Sequence, residues 1–148
     1  NYFGTMLVKL GVADCLLGSR VVLTVKNGDG TENVYRADGT ELDWPMAVLV
    51  NSNTASASEA LSGALQDYGK AVLVGTQTFG KGIVQTTYPL AQSGGWVKMT
   101  TGAYYTPNGR SIHEVGLTPD YVVENSQEGS DAQLEAAMAH LLEELGQN

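Results

Sequence analysis

A single cysteine, two histidines, four prolines and no long apolar run leave this 148-residue chain with few of the usual marks of function. Cys15 has no partner for an internal disulfide. Its place between Asp14 and Leu16-Leu17 in a helical pattern predicts a core residue. His113 and His140 lie 27 positions apart with no second His or Cys at ligand spacing, which argues against a zinc site, and no cofactor is expected. Both histidines are expected to be structural or exposed. No segment reads as a membrane span or a signal peptide, and the chain opens at Asn1 without an initiator Met, so it reads as a fragment. Basic residues are missing altogether after Arg110, where eight of the sixteen acids lie, so the whole net charge of −8 sits in the last quarter. Such a chain repels nucleic acid phosphates and an anionic membrane surface, and neither is expected as a partner.

What is present is the composition of one domain with one sizeable core: 43% hydrophobic and only 16% charged. The domain is expected to span 1–148, with 124–148 an acidic helical segment belonging to it. Thr5 to Leu17 predicts a helix stopped by Gly18, then a strand Val21 to Val25, an Asn-Gly/Asp-Gly turn from Asn27 to Gly30 and a return strand through Val34-Tyr35. Met46 to Val50 and Ala71 to Val74 are short apolar runs on either side of a helix from Ala57 to Gln66, the pattern of a buried parallel β-α-β unit. Val84 to Tyr88 and Trp96 to Tyr105 predict two further strands joined through Ser93-Gly94-Gly95, with a turn at Pro107-Asn108-Gly109. Trp96, Tyr104 and Tyr105 are expected to pack on the sheet. A final helix is expected from Asp131 to Leu145, boxed by Ser130 and Gln133, burying Leu134, Met138, Leu141, Leu142 and Leu145, and ended by Gly146. The fold class is α/β: a β-α-β unit, an accessory hairpin and a C-terminal helix.

Two residues in this frame carry chemistry. Ser56 sits at the corner between the apolar strand and the helix, and Lys81 follows 25 positions later in a Gly-rich window with no carboxylate between Asp67 and Glu114. A serine attacks an acyl carbon only with a base beside it, and a lysine is such a base only where apolar cover removes it from water. Thr78-Phe79-Gly80 and Gly82-Ile83-Val84 offer that cover. The bland alternatives are a helix cap for Ser56, since Ser56-Ala57-Ser58-Glu59 fits a capping box, and a solvated side chain for Lys81. Ser52 and Ser58 compete as nucleophiles, one at the strand end and one inside the first helical turn. The helix start also offers a free N–H at Ala57 where an oxyanion would develop. Gln85 shares the face of Lys81 by strand parity, about 13 Å away if the strand is straight, and contact requires a bend at Gly82. Gly75 to Gly82 also fits the phosphate-binding GxxxxGK pattern, although position 82 is Gly rather than Ser or Thr and a β-branched run follows instead of a helix.

The strings Ser-Ala-Ser-Glu and Thr-Phe-Gly-Lys-Gly-x-Val-Gln, with Pro107 to Ile112 and Gly116 to Asp120, resemble the core of the carboxyl-terminal processing (tail-specific) peptidases from near Asn1 to about Val123. The resemblance implies a ClpP/crotonase-like core and a serine endopeptidase that cuts proteins near their C-termini. By position it makes Ser56 the nucleophile, Lys81 the general base, Gln85 the residue that orients the lysine, Asp67 a structural acid, and the N–H of Ala57 one oxyanion donor. The family's Asn-Pro-Gly-Gly is here Asn1-Tyr2-Phe3-Gly4, which places the second donor at Phe3 or Gly4. A preceding strand and a PDZ domain belong to the family pattern and do not occur in this chain. The isolated chain is therefore expected to cleave poorly and to pair with a copy of itself, as a homodimer or by strand exchange. The resemblance further implies a protein or peptide substrate and an extracytoplasmic setting, in the cell envelope or periplasm, anchored to a membrane in the full-length protein. A degenerate relative that binds chains without cutting them is the alternative from another class.

Overall fold

The computed structural model describes residues 11–92, 94–124 and 131–146. Helix α1, described over 11–17, leads into strand β1 (Val21–Asn27) and its antiparallel partner β2 (Glu32–Arg36). The Asn27–Thr31 turn closes this hairpin through the Asn27 N–H to Thr31 C=O bond (2.8 Å), with Gly30 donating to Asn27 (3.0 Å). Strand β3 (Ala47–Val50), helix α2 (Ala57–Asp67) and strand β4 (Val72–Gly75) form the parallel β-α-β unit that the apolar runs predict. Strands β5 (Ile83–Pro89) and β6 (Trp96–Tyr105) make a long antiparallel ribbon, followed by β7 (Tyr121–Val122) and helix α3 (Ala132–Gly146). Two sheets result, β2-β1-β6-β5 and the parallel β3-β4-β7.

Helix α2 touches β1 of one sheet and β4 of the other, while α3 lies on β3 and β4. Small buried residues on α2, Ala60 and Ala64 with Leu65, allow this close packing. The helix stops where Gly69 takes φ 62°. Lys70 N–H then donates to Leu65 C=O (2.9 Å) and Gly69 N–H to Gln66 C=O (3.0 Å), the pair of bonds that closes a helix end in a left-handed turn. Val22, Leu23, Val50, Leu73, Ile112 and Leu117 join the same core.

Several sequence expectations fail here. Cys15 is exposed. Ala13 and Leu17, four apart, define the buried face of α1, and Cys15 falls on its opposite side. Leu49 is 42% exposed, so β3 is not buried throughout. Trp96 is 68% exposed although Tyr104 is buried, because β1 reaches only residues 102–105 of β6 and leaves the Trp96 end in a two-stranded ribbon. Helix α3 buries Gln133 and Ala137 and leaves Leu134, Met138, Leu142 and Leu145 exposed. The small residue lets the helix approach the sheet closely, and the Gln133 side chain donates to Val123 C=O (2.8 Å). Asp131 caps it, accepting the Leu134 N–H (3.1 Å). Ser130 lies outside the described residues, as do residues 5–10 of the first predicted helix and Ser93 of the ribbon turn.

A charged cluster ties the connections together. Glu41 accepts from Lys70 Nζ (2.7 Å) and faces Arg20 Nη2 (3.4 Å). The hydrogen bond from Lys70 holds the Glu41 carboxyl below the usual carboxylate range, and the same bond raises Lys70. A carboxyl depressed on folding stabilises the fold above its unfolded pKa and loses that contribution as pH falls; a raised lysine keeps its contribution until pH climbs past its own. The pair therefore acts between roughly pH 5 and 10. Glu41→Gln should lower the melting temperature at pH 7 and leave it unchanged near pH 2.5, a difference that scanning calorimetry at the two pH values will read.

Candidate active site

Strand β3 ends at Val50, and the chain turns sharply before α2. Asn51 accepts at Oδ1 from Asn53 N–H (2.9 Å) and at its carbonyl from Thr54 N–H (2.8 Å), while its own N–H donates to Thr54 Oγ1 (3.1 Å). The turn delivers Ser56 to the N-cap of α2 with φ 59° and ψ −123°. Among the described residues only Ser56 and Glu114 combine a side chain with positive φ. Such a backbone stores on the order of 1–3 kcal/mol and persists only where surrounding contacts enforce it.

The enforcing contact is Glu59, a fully buried carboxylate three residues into the helix. Its Oε2 accepts the N–H of Ser56 (2.8 Å) and the N–H of Lys81 (2.9 Å). Its Oε1 accepts the hydroxyl of Thr78 (2.6 Å) and the N–H of Gly80 (2.7 Å). Four donors match the lone-pair capacity of the group, which is what makes burial of a carboxylate tolerable. Because one oxygen bonds both amides, the backbones of Ser56 and Lys81 are no farther apart than the sum of two hydrogen bonds. The Lys81 window is acid-free only along the sequence. In space a carboxylate lies against the backbone of that lysine, brought there by the fold.

The remaining groups of the lysine segment are held from other directions. Phe79 N–H donates to Thr54 C=O (2.9 Å), joining the lysine loop to the serine turn a second time. Tyr104, buried at the end of β6, donates its hydroxyl to Lys81 C=O, and its own N–H bonds Gly82 C=O (3.0 Å). A strap of residues 112–118 is bonded to the same segment. Thr78 N–H donates to Leu117 C=O (3.1 Å), Leu117 N–H to Thr78 Oγ1 (2.7 Å), and Glu114 N–H to Gly80 C=O (2.9 Å). Gly82 is required here, since a Cβ at that position would come within 2.4 Å of His113 N. These bonds also dispose of the phosphate-loop reading. The amides of Thr78, Phe79, Gly80 and Lys81 are taken by protein acceptors, and strand β5 follows the loop where a phosphate site needs a helix N-terminus.

Other predicted site residues are placed as follows. Ala57 opens α2 and so has no acceptor for its N–H within that helix. Ser52 is exposed in the turn and Ser58 lies in the first turn of α2. Gln85 is half-buried on β5 opposite Thr100, at an irregularity in the β5/β6 register. Asp67 sits at the far end of α2, about 16 Å along the axis from Ser56 at 1.5 Å per residue. There it accepts the Asn108 N–H (2.8 Å) and pairs with the Arg110 guanidinium, pinning the 107–110 turn to the helix. Phe3 and Gly4 lie outside the described residues. Glu59, Thr78 and Tyr104 are the residues sequence reasoning missed as site components. The Ser-x-x-Glu box put Glu59 against Ser56, but nothing local signalled that the same carboxylate would reach Lys81.

A serine on a strained strand-to-helix corner, held beside a lysine by one carboxylate, is an arrangement suited to acyl-transfer chemistry. The chain matches Peptidase family S41 over residues 4–123 and belongs to that family. It is 44% identical over 128 residues to a carboxy-terminal-processing protease of Bartonella bacilliformis and 41% identical over 125 residues to a carboxyl-terminal-processing protease of Synechocystis sp.. Each match covers 84% of this chain and 29% of the relative, so the chain spans under a third of their length. The solved photosystem II D1 C-terminal processing protease superposes with a TM-score of 0.76 at 36% identity, covering 92% of this chain and 35% of that one.

If Glu59 organises the site, Glu59→Ala leaves four donors, two buried and two part-buried, without their acceptor. The expected loss is on the order of 3–5 kcal/mol in urea-unfolding free energy. Glu59→Gln should also destabilise, because its amide NH2 would face at least one N–H group in either orientation, that of Gly80 or those of Ser56 and Lys81. A change within about 0.5 kcal/mol, the range of an ordinary surface substitution, would show that the four bonds are not structural.

Proposed function

We propose that this chain is the catalytic core of a serine endopeptidase of the carboxyl-terminal processing type, with a ClpP/crotonase-like fold, and that it works as part of a longer protein. The observation that carries the reading is the shared Glu59 oxygen, which holds Ser56 and Lys81 together across 25 positions of sequence. Ser56 Oγ attacks the scissile carbonyl and Lys81 Nζ takes its proton, later passing it to the leaving amine. The N–H of Ala57, at the positive end of α2, stabilises the developing oxyanion, with Gly4 the second donor. Gln85 orients the lysine. Asp67 acts through structure alone, by its pairing with Arg110.

The substrate in this reading is a polypeptide chain cut near its C-terminus. Two of the relatives are named as chloroplastic, and no helix among the described residues is long and apolar enough to cross a membrane. The setting we propose is extracytoplasmic, with an anchor elsewhere in the full-length protein. A homodimer or strand-exchanged pair is the proposed association of the isolated domain.

In the full-length enzyme, Ser56→Ala and Lys81→Ala should each abolish peptide cleavage while the melting temperature stays within a few degrees of the parent. The double variant should be hardly worse than either single one, because both residues serve one proton transfer. Residual turnover above ~1% in Ser56→Ala, the level expected only if another hydroxyl takes over, would point to Ser52 or Ser58. A fluorophosphonate probe should label Ser56 in the parent. A folded protein that stays unlabelled and cleaves nothing would instead be a chain-binding relative without catalysis.

A further inference from the structure

Two large apolar side chains stand out in water on the two segments that frame this site. Phe79 is 66% exposed although its neighbours Thr78 and Gly80 are buried, and Val115 is 64% exposed on the strap. Neither can swing inward easily. The Phe79 N–H is tied to Thr54 C=O, and the residues on either side of it are tied to Glu59. Val115 donates its N–H to Ile112 C=O (3.2 Å), accepts from Gln77 Nε2 at its carbonyl (2.5 Å), and lies with its backbone against Gly80. A loose loop with an exposed phenyl ring would fold the ring against the protein, whereas this loop is bonded so that the ring is presented.

We infer that Phe79 and Val115 form an apolar subsite for a side chain of the substrate next to the scissile bond, an inference that rests on the peptidase reading of Ser56 and Lys81. The location supports that occupant. Thr54, which holds Phe79, is two residues before Ser56, and Gly80, against which Val115 lies, shares the Glu59 carboxylate with Ser56. A scissile carbonyl must come within about 3–3.5 Å of the nucleophile. The flanking residues of an extended chain, at about 3.3 Å per step, then pass over these loops. Apolar surface on both loops favours Leu, Val or Phe at that point of the substrate. Glu114, whose side chain is 85% exposed beside Val115, disfavours an acidic one.

The test uses the full-length enzyme and peptides that share one mapped cleavage point and carry Leu, Ser or Asp at either residue flanking it. The expected result is a Leu preference in kcat/KM of about tenfold or more over Ser at one of the two flanks, with Asp poorest. Phe79→Ala and Val115→Ser should each lower kcat/KM for the Leu peptide more than for the Ser peptide and so shrink that ratio towards one, and Phe79→Leu should retain it. A preference that survives both substitutions overturns the inference, as does an equal loss for all three peptides, which would mark Phe79 as a structural residue only. Binding of the same peptides to Ser56→Ala separates the two readings. Discrimination there that depends on Phe79, with a parent enzyme that cleaves none of the peptides, would sink the peptidase reading and leave Phe79 and Val115 as a binding site for an apolar side chain; cleavage by the parent without such discrimination would overturn the inference and leave the peptidase reading standing.

Discussion

The site depends on one buried carboxylate. Glu59 takes its four hydrogen bonds from the serine turn on one side and the lysine segment on the other. A buried charge with every acceptor position filled is stable, but one with a partner missing is strongly destabilising, so the arrangement resists partial loosening. Geometry that resists loosening is what a nucleophile and its base need, since a displacement of about 1 Å can cost ~10²-fold in rate.

Helix α2 works as a rigid bar between two such anchor points. Its start carries Ser56 and Glu59, and its end carries Asp67, whose carboxylate pins Arg110 and Asn108. The turn at 107–110 leads directly into the strap of 112–118, which is bonded to the lysine loop at Thr78 and Gly80. A single helix therefore fixes both Ser56 and the support of the Lys81 loop. Among the described residues the backbone strain is local to this region: the two non-glycine residues with positive φ, Ser56 and Glu114, lie on the turn and on the strap. Strain concentrated where contacts over-determine the chain is the pattern expected of a functional site.

What the sequence by itself determined is local. Short apolar runs bounded by turn residues established the β-α-β unit, the Asn-Gly/Asp-Gly cluster established the first hairpin, and the strings around Ser56 and Lys81 marked both residues and pointed to the family. Each of these depends on neighbours within a few positions, where periodicity and turn chemistry leave little choice. Tertiary structure decided everything that required surfaces to meet. It chose the Gln133/Ala137 face of α3 over the leucine stripe because a small side chain lets a helix lie closer to a sheet, and hydrophobic periodicity cannot weigh closeness against size. It left Trp96 in water because the length of β1, not the aromatic pattern of β6, sets how far the four-stranded sheet extends. It also brought Glu59 to Lys81 across 22 positions. The residue that looks locally like half of a helix cap thus became the centre of the site, because burial deprives a carboxylate of water and leaves it to bond whatever donors the fold places within reach.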